Sequence, residues 1–238
     1  MEFDAQSYKY PSRRQVVYGR KGMVATSQPL AAQAGLDMLK QGGNAIDAAI
    51  AAAACLTVVE PTSNGIGGDA FALVWSNGKL HGLNSSGPAP LGISIEKLNK
   101  KGYKKMPRHG WCPVTVPGVP AAWGELSKKF GKLPFTKVLE PAIAYAEDGF
   151  PVSATVAYHW QKAFKDYKEN LQGDEFKHWF HTFAPRGRAP YIGEMWSSPD
   201  HSDTLRKVAE TNGQAFYKGE LAERIDKFSK EYGGYISF

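Results

Sequence analysis

Hydrophobic positions take up a helical spacing soon after residue 22. Leu30, Ala34, Leu36 and Leu39 mark one inward stripe, preceded by Pro29 and closed by Gly42-Gly43, which predicts a helix from Pro29 to Gln41 with Ser27 as its N-cap. The next stretch, AIDAAIAAAACLTVV from Ala45 to Val59, is rich in helix-forming alanine and stops at Glu60-Pro61. Asn44 caps this second helix, and Asp47 in its first turn suits the helix dipole. Alanine faces let two such helices pack closely side by side. Beyond Pro61 the period changes. Phe71-Ala-Leu-Val-Trp75 and Lys79-Leu-His-Gly-Leu83 flank an Asn77-Gly78 turn, so Ala70 to Trp75 and Lys79 to Asn84 are predicted as antiparallel strands with the two helices covering one face. Further helices are expected at Ile95 to Lys100, Ala121 to Phe130 and Phe135 to Asp148. The last of these carries Leu139, Ile143 and Ala146 on one stripe and stops at Gly149. From Trp160 onward aromatic and charged residues become more frequent, and helical patterns return at Asp203 to Thr211 and Lys218 to Tyr232. There is no internal repeat and no low-complexity segment. The fold class expected is α+β.

Composition adds limits rather than identity. With 238 residues and 42% hydrophobic content the chain can bury a sizeable core. The formal charge of +6 is dispersed, with small clusters at Lys100-Lys101, Lys104-Lys105 and Lys128-Lys129 that read as solvated faces. Aromatic interleaving and a recognisable binding motif are both missing, so no nucleic-acid partner is expected. The alanine helix falls short of the roughly twenty apolar residues that cross a bilayer. The opening MEFDAQSYKYPSRRQ lacks the apolar core of a secretory leader. These features predict no membrane partner and a cytoplasmic setting. Two cysteines make no disulfide framework, and Cys55, inside the alanine helix, reads as a small buried filler.

Candidate chemistry is sparse. Gly65-x-Gly67-x-x-Ala70 matches the letters of a dinucleotide-binding fingerprint, but that site needs a strand entering the glycines and a helix leaving them. Here a helix enters and a strand leaves, so no nucleotide cofactor is expected. Glycine instead lets the backbone turn sharply and lie close against neighbouring chain. His178 and His181 could share a helix face as metal ligands, yet no cysteine or carboxylate set completes them, and no metal is expected. His109 stands near Cys112 without an orienting third group, and no Gly-x-Ser-x-Gly elbow is present.

Several segments taken in order carry a resemblance. Gly22-Met-Val-Ala25, Leu36-Asp-Met-Leu39, Gly42-Gly-Asn-Ala-Ile-Asp-Ala-Ala49, Asn64-Gly-Ile-Gly-Gly-Asp-Ala-Phe71, Ala89-Pro90, Val116-Pro-Gly118 and Phe216-Tyr-Lys-Gly219 resemble the γ-glutamyltransferase family, including its cephalosporin-acylase-like branch. The likeness runs from Gly22 to Gly234. It implies an N-terminal-nucleophile hydrolase, an αββα sandwich made as one precursor that cuts itself into large and small subunits. The newly exposed threonine of the small subunit attacks an amide with its own α-amine as base, while backbone donors hold the oxyanion. In this family the glycine segment joins the alanine helix to a central strand.

The same resemblance exposes two departures. The Thr-Thr-His type motif that carries the nucleophile is absent from this sequence, so residues 1–238 read as a single domain, the first part of a large subunit. No catalytic residue can be assigned within it, and the chain alone is expected to be inactive. Its expected partners are a small subunit bearing the threonine and a small-molecule amide substrate. Second, the transferases place an arginine shortly before an Ala-Pro pair to grip the α-carboxylate of the glutamyl group. Aligned on Ala89-Pro90, that place falls to Ser86 in Asn84-Ser-Ser-Gly-Pro-Ala-Pro90. Ser85 and Ser86 are therefore the candidate substrate-binding residues, although they could equally shape a turn before Gly-Pro. Hydroxyls offer neither the charge nor the bidentate fork of a guanidinium. The expectation is an acylase acting on a non-glutamyl acyl amide. The alternatives are a true γ-glutamyltransferase on glutathione-type substrates, and a non-catalytic fragment serving as a scaffold.

Overall fold

A computed structural model describes residues 16–237. The polar opening stretch through Gln15, read above for a leader, lies outside them. Along the chain come α1 (Pro29–Lys40), α2 (Ala45–Val59), β1 (Ala70–Ser76), β2 (Lys79–Ser85), α3 (Ile95–Lys100), α4 (Val119–Phe130) and α5 (Phe135–Asp148). Then follow β3 (Phe150–Pro151), α6 (Ala154–Asn170), α7 (Lys177–Phe183), β4 (Met195–Trp196), α8 (Pro199–Glu210) and α9 (Glu220–Glu231). This is the α+β chain expected, rich in helix around a central hairpin.

The alanine helix forms the middle of the core. An apolar helix with no polar face must be enclosed, and α2 lies between α1 and α5 with α4 against it, while α5 packs in turn on α8. Its alanines do permit close approach: a Cβ on Gly35 of α1 would stand 2.9 Å from the Ala48 carbonyl. The predicted cap of α2 is present as a full capping box. Asn44 Oδ1 accepts from Ile46 N and Asp47 N, and Asp47 Oδ2 accepts from Asn44 N at 2.9 Å. Asp47 goes further than dipole compensation, being fully buried and also accepting the backbone N–H groups of Lys132 and Leu133 between α4 and α5. Cys55 is a buried filler, and burial pushes its thiol up to about 12.

Several expectations are corrected. The N-cap of α1 is Gln28, whose Oε1 accepts from Leu30 N and Ala31 N; Ser27 instead donates its hydroxyl to Glu60 at 2.6 Å. The buried stripe of α1 is Ala31, Ala34, Gly35 and Met38, with Leu30, Leu36 and Leu39 only half-buried on its flanks. The hairpin forms in the predicted register around Asn77 and Gly78, both at positive φ, with Trp75 opposite Leu80 and Phe71 opposite Asn84. Its inward face, with Val74 buried, rests on α4 rather than on α1 and α2, and the His81 ring lies 5.0 Å from that of Phe130. The outward face is apolar and open: Phe71, Leu73, Trp75 and Leu80 are each more than 60% exposed.

The aromatic residues beyond Trp160 build the far end of the core. Phe150 and Trp196 pair across β3 and β4, Trp160 packs edge-on to Trp196, and the Trp160 indole N–H donates to the Phe183 carbonyl at 2.9 Å. The helix carrying Trp160, α6, was not anticipated. Only Val156, Ala157 and Trp160 are buried in its 17 residues, a stripe too thin to stand out from its charged surroundings.

Candidate functional site

Three segments converge at the entry to α4. The Gly68 carbonyl, last of the glycine loop, accepts from Gly118 N at 2.8 Å and Val119 N at 3.2 Å. Ser85 Oγ donates to the Gly118 carbonyl at 2.7 Å, and Val116 N donates to the Pro88 carbonyl at 3.0 Å. Glycine is required at two points of this junction. A Cβ on Gly118 would lie 1.8 Å from the Ser85 carbonyl oxygen, and one on Gly87, itself at φ +75°, would lie 1.8 Å from that of Val116. Tyr217 completes the entry, its hydroxyl accepting from Ala121 N at 3.1 Å and donating to the Pro117 carbonyl at 2.7 Å. Gly118 has no side chain to cap α4, so Gly68 and Tyr217 satisfy helix-start N–H groups in its place.

Within this junction the two candidate serines part company. Ser85 is half-buried and its hydroxyl proton is committed to Gly118, which makes it a strut of the junction. Ser86 is exposed, with its N–H held by Asn84 Oδ1 at 3.0 Å in the kind of turn that precedes Gly-Pro. Among the described residues no arginine bonds to this segment. Arg186 and Arg188 are both paired to Glu194, at 2.7 and 2.8 Å, and Arg188 also lies over the Tyr191 ring. The Arg188 guanidinium and the Tyr191 N–H together hold the Glu194 carboxyl below the usual carboxylate range.

The glycine loop corrects one expectation and meets another. It follows the C-terminal end of α2 and feeds β1, so no helix leaves it for a phosphate to sit on. Close packing does not explain its first glycines, however, because a Cβ on Gly65 or Gly67 would meet nothing within 4 Å among the described residues. That face is open. Behind the loop lies a cavity of about 240 Å³, bounded by Leu56 and Thr57 of α2 and by Val119 and Trp123 of α4.

The other polar candidates are structural or isolated. The His178 ring packs edge-on to Phe228, at 4.8 Å, and stands 3.4 Å from the Tyr232 hydroxyl. His109 packs on Tyr167 rather than on Cys112. Among the described residues no three His, Cys, Asp or Glu side chains gather as a metal site. A partly buried polar contact that the sequence did not reveal joins His201 Nε2 of α8 to Thr57 Oγ1 of α2 at 3.3 Å.

Comparison with known proteins places this geometry. A profile of the family described as Gamma-glutamyltranspeptidase matches residues 31–238. Glutathione hydrolase proenzyme 1 of Schizosaccharomyces pombe is 36% identical over 97% of this chain and 36% of its own length. The structure of a cephalosporin acylase from Bacillus halodurans superimposes over the whole chain with a TM-score of 0.93 at 60% identity, covering 44% of that protein. Gamma-glutamyltranspeptidase from Helicobacter pylori superimposes over 93% of the chain and 63% of its own, with a TM-score of 0.84 at 30% identity. The chain spans about two fifths of the length of the curated relatives it matches.

Proposed function

The chain belongs to the gamma-glutamyltranspeptidase family, and on that premise we propose that it is the N-terminal part of the large subunit of an amide-bond hydrolase or acyltransferase. Its fold is part of the αββα sandwich of N-terminal-nucleophile hydrolases. Residues 1–238 act as one domain, completed by a small subunit whose N-terminal threonine attacks the amide carbon in the cytoplasm. An amide carbonyl is a weak electrophile, so the threonine needs its own α-amine to take the hydroxyl proton and backbone donors to hold the oxyanion. Neither group is drawn from these 238 residues. What this chain contributes is the wall of the acyl site: the Ser85-Ser86 turn, locked to the glycine loop through Gly118, and the open face beside Gly65 and Gly67 where substrate or the second sheet would lie.

The observation that carries the acylase reading is Ser86. It is exposed where the transferases of the family keep an arginine, and Arg186 and Arg188, in the loop before β4, are spent on Glu194. The identity of 60% to a cephalosporin acylase, against 30% to a gamma-glutamyltranspeptidase of known structure, supports the same branch. The glutathione hydrolase names among the curated relatives favour the second reading, a γ-glutamyl enzyme. Kinetics of the full-length protein separate the two. The acylase reading predicts lower kcat/KM for a γ-glutamyl anilide than for an acyl anilide lacking an α-carboxylate. Ser86→Arg should raise the glutamyl value selectively, by about tenfold or more, since a charge-assisted hydrogen bond is worth roughly 1.5 to 3 kcal/mol. Efficient glutamyl turnover by the unmodified protein would place carboxylate recognition elsewhere.

A further inference from the structure

The lysine clusters read above as dispersed solvated faces are corrected in one respect: nearly all of the net charge falls in one excursion. Between Leu91 and Cys112 stand Lys97, Lys100, Lys101, Lys104, Lys105 and Arg108 against the single carboxylate of Glu96, a local charge of +5 in a chain whose total is +6. All six cations are exposed. Lys97 Nζ donates to the Gly92 carbonyl, and Lys101 Nζ donates to the Gly233 carbonyl and lies over the Tyr235 ring, which pins the excursion to the body. Among the described residues no carboxylate pairs with Lys100, Lys104, Lys105 or Arg108.

The segment also carries outward apolar residues: Leu91 is fully exposed and Ile95 74% exposed just ahead of the first lysine, and Met106 is 49% exposed among the last cations. A run of cations flanked by outward apolar side chains is the composition of surfaces that settle into the headgroup region of an anionic bilayer, the cations on phosphates and the apolar groups among the upper acyl chains. An acidic polypeptide or a nucleic acid would engage the cations but leave Leu91 and Ile95 without a role. No helix among the described residues is long and apolar enough to cross a membrane, so the contact would be peripheral. Against the sequence expectation of no membrane partner, we propose that the 91–112 excursion docks the protein reversibly on an anionic lipid surface. The inference stands independently of the amidase reading.

The test is partition of the full-length protein onto vesicles of phosphatidylcholine, alone and mixed with phosphatidylglycerol, at low and high salt. Binding should require the anionic lipid and weaken with salt. The triple variant Lys100→Gln, Lys104→Gln, Lys105→Gln should lower the partition coefficient on the order of a hundredfold, at about a kilocalorie per mole for each lysine near the surface. Its thermal unfolding and its turnover of a soluble amide should match those of the unmodified protein. Leu91→Ser with Ile95→Ser should weaken vesicle binding while leaving retention on a soluble polyanion such as polyglutamate unchanged. Three results would overturn the proposal: no vesicle binding, equal binding to neutral lipid, or a Leu91/Ile95 pair whose replacement leaves vesicle binding unaltered. The last would assign the patch to an acidic polymer.

Discussion

Asp47 sits fully buried with its carboxylate accepting backbone N–H groups from Asn44, Lys132 and Leu133, so one side chain fastens the start of α2 to the link between α4 and α5. Asn44 adds a second tie through its Nδ2, which donates to the Phe130 carbonyl. Asp47→Ala removes the buried acceptor and leaves partly buried backbone donors without it, at roughly 1 kcal/mol each, so a loss of about 3 kcal/mol is expected in denaturant unfolding. His201 makes a pH prediction. Burial pushes its imidazole down to about 4 from an ordinary 6.5, and its place in the first turn of α8 also disfavours a cation. Thr57 gives its hydroxyl proton to the Ala54 carbonyl, so the contact with His201 requires the ring to carry its hydrogen on Nε2. The folded state therefore holds His201 neutral while the unfolded chain binds the proton more readily. The stability this group leaves intact above pH 6.5 is lost as pH falls toward 4, by up to about 3 kcal/mol. Unfolding free energies for the unmodified protein and His201→Gln, followed from pH 7 to 4, should converge as the pH drops; parallel curves would contradict the assignment.

At the scale of elements, the hairpin rests its inward face on α4, and the entry to that helix is fixed by hydrogen bonds, Gly68 to Gly118 and Val119 and Ser85 to Gly118 from the hairpin side and Tyr217 to Pro117 and Ala121 from the other. Gly118→Ala drives a methyl into the Ser85 carbonyl and should cost roughly 3 kcal/mol, as overpacking against backbone does. Gly65→Ala, with open space around it, should stay within about 0.5 kcal/mol in the same melting series. Equal losses for the two would show that the junction does not organise the fold. This contrast also marks how far the sequence could be read. The capping box at Asn44 and Asp47, the Asn77-Gly78 turn and the all-round apolar α2 are local signals, written in adjacent residues, and they were legible. The cap of α1 was misplaced because Gln28 does the work of the serine beside it. The junction was invisible except as isolated family motifs, since Gly68, Ser85, Gly118 and Tyr217 meet only after folding. The role of Ser86 rested on resemblance, and the structure adds its exposure and the commitment of its neighbour Ser85.

For the whole molecule, the outward face of the hairpin sets the terms. Phe71, Leu73, Trp75 and Leu80 form an apolar sheet surface, with a shallow groove of about 620 Å³ running past Phe71, Leu73 and Gly82. Two strands with one face on α4 are half of a sandwich, and an exposed apolar face of this kind calls for a second layer. The chain spans about two fifths of its curated relatives, which leaves ample length for that layer. The isolated 238-residue chain is therefore expected to hydrolyse neither γ-glutamyl nor acyl-amide substrates, having no N-terminal threonine that carries its own base. The most direct test is intact mass and N-terminal sequencing of the protein purified after expression from its complete gene. Two polypeptides are expected, the larger containing these 238 residues and extending beyond Phe238, the smaller beginning with threonine. A single polypeptide ending at Phe238, folded and turning over amides, would contradict it.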